Sequence, residues 1–258
     1  MNDVARLMQL AALFLFALSA AGKEALENIQ QNEYPVSPNT TFTLRLGEGT
    51  VHVYASNENI VKLTAIKKAY TQERLDGIKV DAQVSPDAVE IVTTFPPKPH
   101  GLTTADRSGT VDYILLVPQT CTIKEIAVDD GEVIVEGMRG GGLDVRLTNG
   151  RILTKNCFCS TNLTLGRGGI DIGYLWWEPI AFSVNAQSTN GDVRVGLPST
   201  ASAQFQATTA DGWIGNQFAA DGENNDAHTQ DWTMGNAPNA TFNLLPTPSV
   251  QETSTGCR

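Results

Sequence analysis

Apolar side chains alternate with polar ones on both sides of a glycine, and the same arrangement returns along the chain. With each glycine set as zero, position +2 carries Val51, Val133, Ile152, Ile170, Val193 and Ile214. Position +4 carries Val53, Val135, Thr154, Ile172, Val195 and Asn216. Before Gly150, positions −3, −5 and −7 hold Leu147, Val145 and Leu143. The same positions hold Ser188, Ala186 and Val184 before Gly191, and Thr209, Ala207 and Phe205 before Gly212. A period of two on each flank predicts two half-buried strands meeting at the glycine. Gly49, Gly131, Gly150, Gly168, Gly191 and Gly212 are therefore structural turn positions. Glycine reaches positive φ without a Cβ clash, and the Asn or Asp that often precedes it tolerates the left-handed region.

From Gly131 onward the glycines are spaced 19, 18, 23 and 21 residues apart. A near-constant period predicts a stack in which neighbouring units bury each other's apolar rows. The fold class that follows is all-β, a β-solenoid-like stack of two-strand rungs of about 18–23 residues. An antiparallel meander or sandwich of Asn-Gly hairpins gives the same alternation, because hairpin pairing puts −3 opposite +2 on one face. Irregular spacing with constant motif phase favours coils carrying insertions.

The N-terminal half is less regular. Strands are expected at 41–46, 50–55, 60–69, 78–84, 88–95 and 111–118, with a helical turn at 71–77 and a Pro/Gly-rich loop from residue 95. The chain divides into residues 1–21 as a signal peptide and 22–37 as a lead segment. One β domain follows over 38–245, then a polar tail over 246–258 expected to lack order.

Composition narrows the setting. The 258 residues are 41% hydrophobic, with a net charge of −10 and a pI near 4.7. Such acidity argues against a nucleic-acid backbone as partner, since that needs a basic stripe. Arg6 precedes an apolar run from Leu7 to Leu18, and Ser19 and Ala21 form a small-x-small cleavage pattern. This reads as a secretion signal cleaved near Gly22, with an uncleaved anchor or an ordinary amphipathic helix as the alternatives. The expected location is secreted, periplasmic or cell-envelope, peripheral to a membrane at most. Cys121, Cys157, Cys159 and Cys257 then sit in an oxidising compartment. Cys157 and Cys159 are neighbours on one strand face and are not expected to bond each other. Cys121 and Cys159 are two periods apart, in one column and too distant to bridge.

The phrase FTLRLGEGTVHV near the start, the apolar VDYILLVP and the serial [ND]-G-x-[IV]-x-[IV] rungs together resemble the adhesin-type domain of bacterial extracytoplasmic proteins. That is a family of unknown function with β-helix-like members. The resemblance spans roughly residues 35–245. It implies a secreted or envelope-attached β-solenoid with no established catalysis, and it supplies no catalytic residues.

Candidate chemistry is sparse. His52, His100 and His228 are far apart in sequence, and His52 points away from the buried row. There is no nucleophile elbow, zinc-protease helix or P-loop. Glu132, Arg151, Asp171, Arg194, Asp144 and Arg146 face outward from successive rungs. They are the only material for the alternative function, a β-helix enzyme acting on polysaccharide. DGENNDAHTQD at 221–231 lacks the spacing of a calcium loop and reads as a hydrophilic connection. No cofactor, metal or catalytic residue is expected. The most pointed feature is GYLWWEPIAF at 173–182, in the longest glycine gap. Insertions in a stack bulge outward, so Tyr174, Trp176 and Trp177 are the candidate binding residues for a protein or glycan at the cell surface. Pro179 and its effect on Glu178 break strand pairing there. An extended segment can send at most one of the two tryptophans into the core.

Overall fold

A computed structural model describes residues 24–99, 106–210, 213–215 and 228–251. Among the described residues fourteen strands form one continuous sheet: β1 (Leu26–Pro35), β2 (Thr41–Ser56), β3 (Ile60–Ala69), β4 (Lys79–Ser85), β5 (Ala88–Thr94), β6 (Thr110–Pro118), β7 (Thr122–Glu136), β8 (Arg139–Lys155), β9 (Phe158–Gly173), β10 (Phe182–Gly196), β11 (Ala203–Thr208), β12 (Trp213–Gly215), β13 (Thr229–Met234) and β14 (Ala240–Gln251). The one helix among the described residues is α1 (Gln72–Gly77), capped by the Thr71 side chain.

The long strands stack in parallel, β2 on β7, β7 on β8, β8 on β9 and β9 on β10. Glycine lies on glycine through the stack, from Gly49 to Gly131, Gly150, Gly168 and Gly191. This is a parallel β-solenoid. The hairpin alternative fails because each motif glycine pairs with the next copy's glycine rather than folding its own flanks together. The two flanks are also one bent strand rather than two separate ones. Each strand runs up a first arm, turns at its glycine and continues along a second arm.

The glycine column explains its own composition. At Gly49, Gly131, Gly150, Gly168 and Gly191, φ lies between 131° and 156°. A Cβ added at Gly131, Gly150, Gly168 or Gly191 would sit 1.7–1.8 Å from the carbonyl oxygen of the preceding glycine in the column. No side chain fits that space, and the conformation itself is one that only glycine adopts cheaply. Gly212 and Asn216 lie outside the described residues.

The predicted apolar row is the core. Leu143, Val145 and Leu147 on the first arm of β8 and Ile152 on its second are at most 3% exposed. Val184, Ala186, Ser188, Val193 and Val195 of β10 are at most 1% exposed. Rows from both arms face each other, so each rung covers its neighbour's apolar strip and the core runs the length of the stack.

At the N-terminal end the coil gives way to two ribbons. β5 pairs with the first arm of β2, and β4 pairs antiparallel with β5. β6 pairs with the second arm of β2, β3 antiparallel with β6, and β1 antiparallel with β3. The sheet therefore extends past both expected boundaries. β1 lies inside the supposed lead segment, and its residues, mostly exposed on both faces, gave no alternation to read. β14 is paired to Gln251, so the boundary drawn at 245 falls within a strand. The signal peptide, His100, residues 221–227 and Cys257 lie outside the described residues.

Candidate functional site

The ends of the second arms return to the first arms through a second corner. Residues 137–138 and 156–157 suffice for the crossings from β7 to β8 and from β8 to β9, whereas the crossing from β9 to β10 takes residues 174–181. This is the predicted insertion, and its excess chain bulges from the corner column.

The bulge is tightly held. Asn156, in the left-handed region at φ 50°, donates its N–H to Gly173 O at 2.8 Å. Its side-chain Oδ1 accepts the Leu175 N–H at 2.8 Å. Tyr174 turns inward, 4% exposed, and its hydroxyl donates to Cys157 O at 2.9 Å. Burial raises the Tyr174 phenol well above its usual pKa, with the Cys157 and Cys159 thiols adding to the shift. Tyr174 is therefore core, a correction to its expected place on the contact surface. Its hydrogen bond satisfies the one polar atom that burial would strand.

Trp177 also packs inward, against Tyr174 at 5.8 Å and Phe182 at 5.6 Å between ring centroids. Its indole N–H is buried without a partner. Trp176 stays 45% exposed beside Leu175 because the chain bends at these two residues rather than running on as an alternating strand. Its Nε1 donates to Glu178 Oε1 at 2.9 Å. The same carboxylate receives both terminal nitrogens of Arg139, Nη1 at 3.0 Å and Nη2 at 2.8 Å. The Arg139 guanidinium lies 4.9 Å from the centroid of Phe158. Trp176, Glu178, Arg139 and Phe158 thus form one braced unit spanning two rungs.

Leu175 is 76% exposed and Ile180 41%. With Trp176 they are the exposed apolar side chains of this crossing, and the side-chain polar groups of Glu178 and Arg139 are bonded to each other and to the indole. Sequence reasoning singled out the tryptophans and noticed Glu178-Pro179. It missed Leu175 and Ile180, for which exposure has no local signal, and it missed Arg139, which is distant in sequence.

The outward charges form ladders on the open face. Arg151 Nε meets Asp171 Oδ2 at 2.8 Å, with Glu132 at 3.7 Å from Arg151 and Arg194 at 3.8 Å from Asp171. Arg146 pairs with Asp144 and lies near Glu125, which also binds Arg45. These groups neutralise one another along exposed strands. Glu48, Asp112, Asp130 and Glu132 border an open cleft at the glycine corner. Each has a partner there: Lys98, Lys68, Asn149 and Arg151 respectively. Among the described residues no group of His, Cys, Asp and Glu is placed to hold a metal ion. His52 points outward and approaches Tyr54 Oη at 3.4 Å.

Cys121, Cys157 and Cys159 are free, buried thiols. The register of Ile123 on Leu143 and Leu143 on Thr161 sets Cys121, Gly141 and Cys159 in one column, two rungs from first to last. Phe158 between Cys157 and Cys159 is buried as well. The chain turns a corner at Asn156, so the simple alternation expected of these three residues does not hold.

The architecture defines a class, a parallel β-solenoid with glycine corners and a braced aromatic insertion. Residues 39–241 match the Toastrack DUF4097 family, a domain of unknown function, and the chain belongs to that family. Among solved structures, a protein of Clostridium sporogenes, provisionally named a cell adhesion protein, is similar with a TM-score of 0.51 and 15% identity. That match covers 90% of this chain and 99% of the other. A Bacteroides fragilis protein provisionally named an adhesin aligns at 8% identity and TM-score 0.31, covering 88% of this chain and 97% of its own. A Parabacteroides distasonis protein provisionally named a lipid binding protein aligns at 10% identity and TM-score 0.36, with the same coverages. The first shows the shared fold, and the other two overlap too loosely to carry an argument. No curated protein matches the chain.

Proposed function

We propose that this protein is a non-catalytic extracytoplasmic binding module, and that it docks an apolar surface of a partner protein on Leu175, Trp176 and Ile180. One observation carries this reading. A half-exposed tryptophan is braced in place by a bidentate Arg139–Glu178 pair rather than folded into the adjacent core. Rigid Trp anchors cost little entropy on binding and dominate interface energies. A sugar site would need free donors and acceptors beside the ring, and here those of Glu178 and Arg139 are spent on each other. The name of the Clostridium sporogenes relative agrees with an adhesive role at the cell surface. The self-neutralising ladders speak for a structural outer face rather than a carbohydrate-cleaving groove.

The test compares Trp176→Ala with Trp177→Ala in full-length protein, against envelope proteins of the native host and against a glycan array. Trp176→Ala should lose protein binding with its melting temperature nearly unchanged. Trp177→Ala should lose roughly 2–3 kcal/mol of stability, below the usual figure for a core aromatic because the ring is only partly buried against the core. Retained binding in Trp176→Ala, or glycan binding that this variant abolishes, would overturn the reading. The extracytoplasmic part is tested separately by the mass of the native N-terminus. It should begin near Gly22, and an intact Met1 on a cytosolic protein would contradict it.

A further inference from the structure

The last coil breaks chain order. β10 leads into β11 through residues 197–202, and shorter crossings place β8 on β7 and β9 on β8. Yet β11 does not pair with β10. β14 lies between them, parallel to both. Phe182, Val184 and Ala186 of β10 register on Ala240, Phe242 and Leu244, and these on Ala203, Phe205 and Ala207 of β11. The inserted side chains are sealed in, Ala240 at 1% and Phe242 and Leu244 at 0% exposure. Phe242 stacks on Phe205 at 4.8 Å, and Phe205 on Trp232 of β13 at 4.9 Å. On the outer face an amide ladder crosses the insertion. Asn243 Nδ2 donates to Asn185 Oδ1 at 2.7 Å, and Asn185 Nδ2 to Asn162 Oδ1 at 3.0 Å.

β14 is tethered lightly. β13 lies on the far side of β11, antiparallel to it, so residues 235–239 must step over the start of β11. Gly235 takes φ 77°, and the Ala237 N–H reaches Ser202 Oγ at 3.3 Å. No described strand follows β14, and besides β10 and β11 the described strand it pairs with is the three-residue β12, which an exchanged β14 would pair in the same register. The family match ends at residue 241, just inside this strand.

We propose that the gap between β10 and β11 is an acceptor slot for an extended strand, and that a second copy of this chain fills it with its own β14. Each contact made by β14 in its own slot is reproduced in the neighbour's. The exchange therefore changes only the path of residues 235–239 and the entropy of association. Reciprocal exchange closes a two-fold dimer, and one-way exchange continues into an open chain of copies. The occupant is a second copy because the slot is cut to this strand: Phe242 fits between Phe205 and the Phe182–Tyr174 aromatic group, with Ala240 and Leu244 on either side.

Asn185→Cys and Asn243→Cys report occupancy, since these side chains meet across the β10–β14 pair on the outer face. Cys257→Ser is included in every variant. Both substitutions in one full-length chain should give an intramolecular disulfide in a monomer. Two differently tagged full-length chains, one with Asn185→Cys and the other with Asn243→Cys, are then unfolded together and refolded over a range of concentrations. The expected result is a disulfide-linked dimer carrying both tags, its yield rising with concentration. It should also exceed the background from Asn243→Cys mixed with Arg45→Cys, which lies on distant β2. Light scattering on refolded wild-type protein should show a matching dimer. The proposal is overturned if the single-chain variant closes but the mixture gives no dimer above background. It is equally overturned if the single-chain variant folds without closing, because β14 is then not beside β10.

Discussion

At the scale of single residues, two physical constraints dominate. The first is the glycine column, where a Cβ has no room. Gly150→Ala should cost at least about 3 kcal/mol, combining backbone strain of about 1–3 kcal/mol with a clash against Gly131. Gly169 has no positive φ, and an added Cβ meets nothing within 4 Å. Gly169→Ala should therefore stay within about 0.5 kcal/mol. Urea titration of both variants checks this, and equal losses would show that the column is not what holds the corner. The second constraint is burial of weak acids. Burial pushes the Cys121 and Cys157 thiols up to about 12 from an ordinary 9.0, and the Tyr113 phenol to about 12 from 10.0. The folded state holds these protons more tightly than the unfolded chain. The corresponding stability is complete below pH 9 and is lost as pH rises toward 12. Melting temperature should fall steadily above pH 9, more gently in Cys157→Ala relative to its own value at pH 8. An unchanged slope in that variant would remove Cys157 from the account.

At the scale of elements, each rung is a bent strand with one buried and one open side, and the two sides should respond differently to charge. Val193 is fully buried, whereas the Arg194 side chain is 43% exposed on the adjacent outward position. Val193→Asp forfeits the burial of a valine, about 1.5–3 kcal/mol, and adds an unpaired buried carboxylate. Arg194→Ser should shift stability by no more than about 0.5 kcal/mol. Denaturant unfolding of the pair reads the phase of the repeat directly. A second element of note is α1, whose Arg74 is 7% exposed and has the Asp106 carboxylate nearby. Its Nε donates to Ser108 O at 2.8 Å and its Nη1 to Pro96 O and Pro97 O. The guanidinium ties both ends of the Pro-rich excursion to the helix. Arg74→Ala should open that excursion to limited proteolysis around residues 95–109 before the solenoid itself unfolds. Simultaneous loss of both would show one cooperative unit.

At the scale of the whole molecule, the apolar core runs continuously between the two arms, while the outer faces carry opposed charges in ladders. Exposed pairs of this kind contribute little and are weakened by salt. The net charge of −10 is meanwhile self-repelling. Salt should therefore raise the melting temperature slightly, and a marked fall would show that the ladders hold the arms together. No helix among the described residues is long and apolar enough to cross a membrane.

The buried row, the glycine corners and the position of the insertion were legible in the sequence because each is a local pattern. A period of two marks the faces of a strand wherever that strand goes, and a backbone without space for Cβ leaves glycine as its trace. Which strands stack was a different matter. Parallel coils and antiparallel hairpins bury the same alternating positions, and backbone hydrogen bonds leave no mark on side-chain identity. Only the tertiary structure decided that Gly150 lies on Gly131, that β1 adds to the edge at β3, and that β14 enters between β10 and β11. The insertion between β9 and β10 divides in the same way. An extended segment would have sent at most one of the two tryptophans inward, but the chain bends at Leu175 and Trp176, and both indoles approach Phe158. Their assignment, Tyr174 and Trp177 inward and Trp176 held outward by Glu178 and Arg139, depended on a partner almost forty residues earlier in the chain. Pairings of that kind are set by packing between rungs, and no local sequence pattern encodes them.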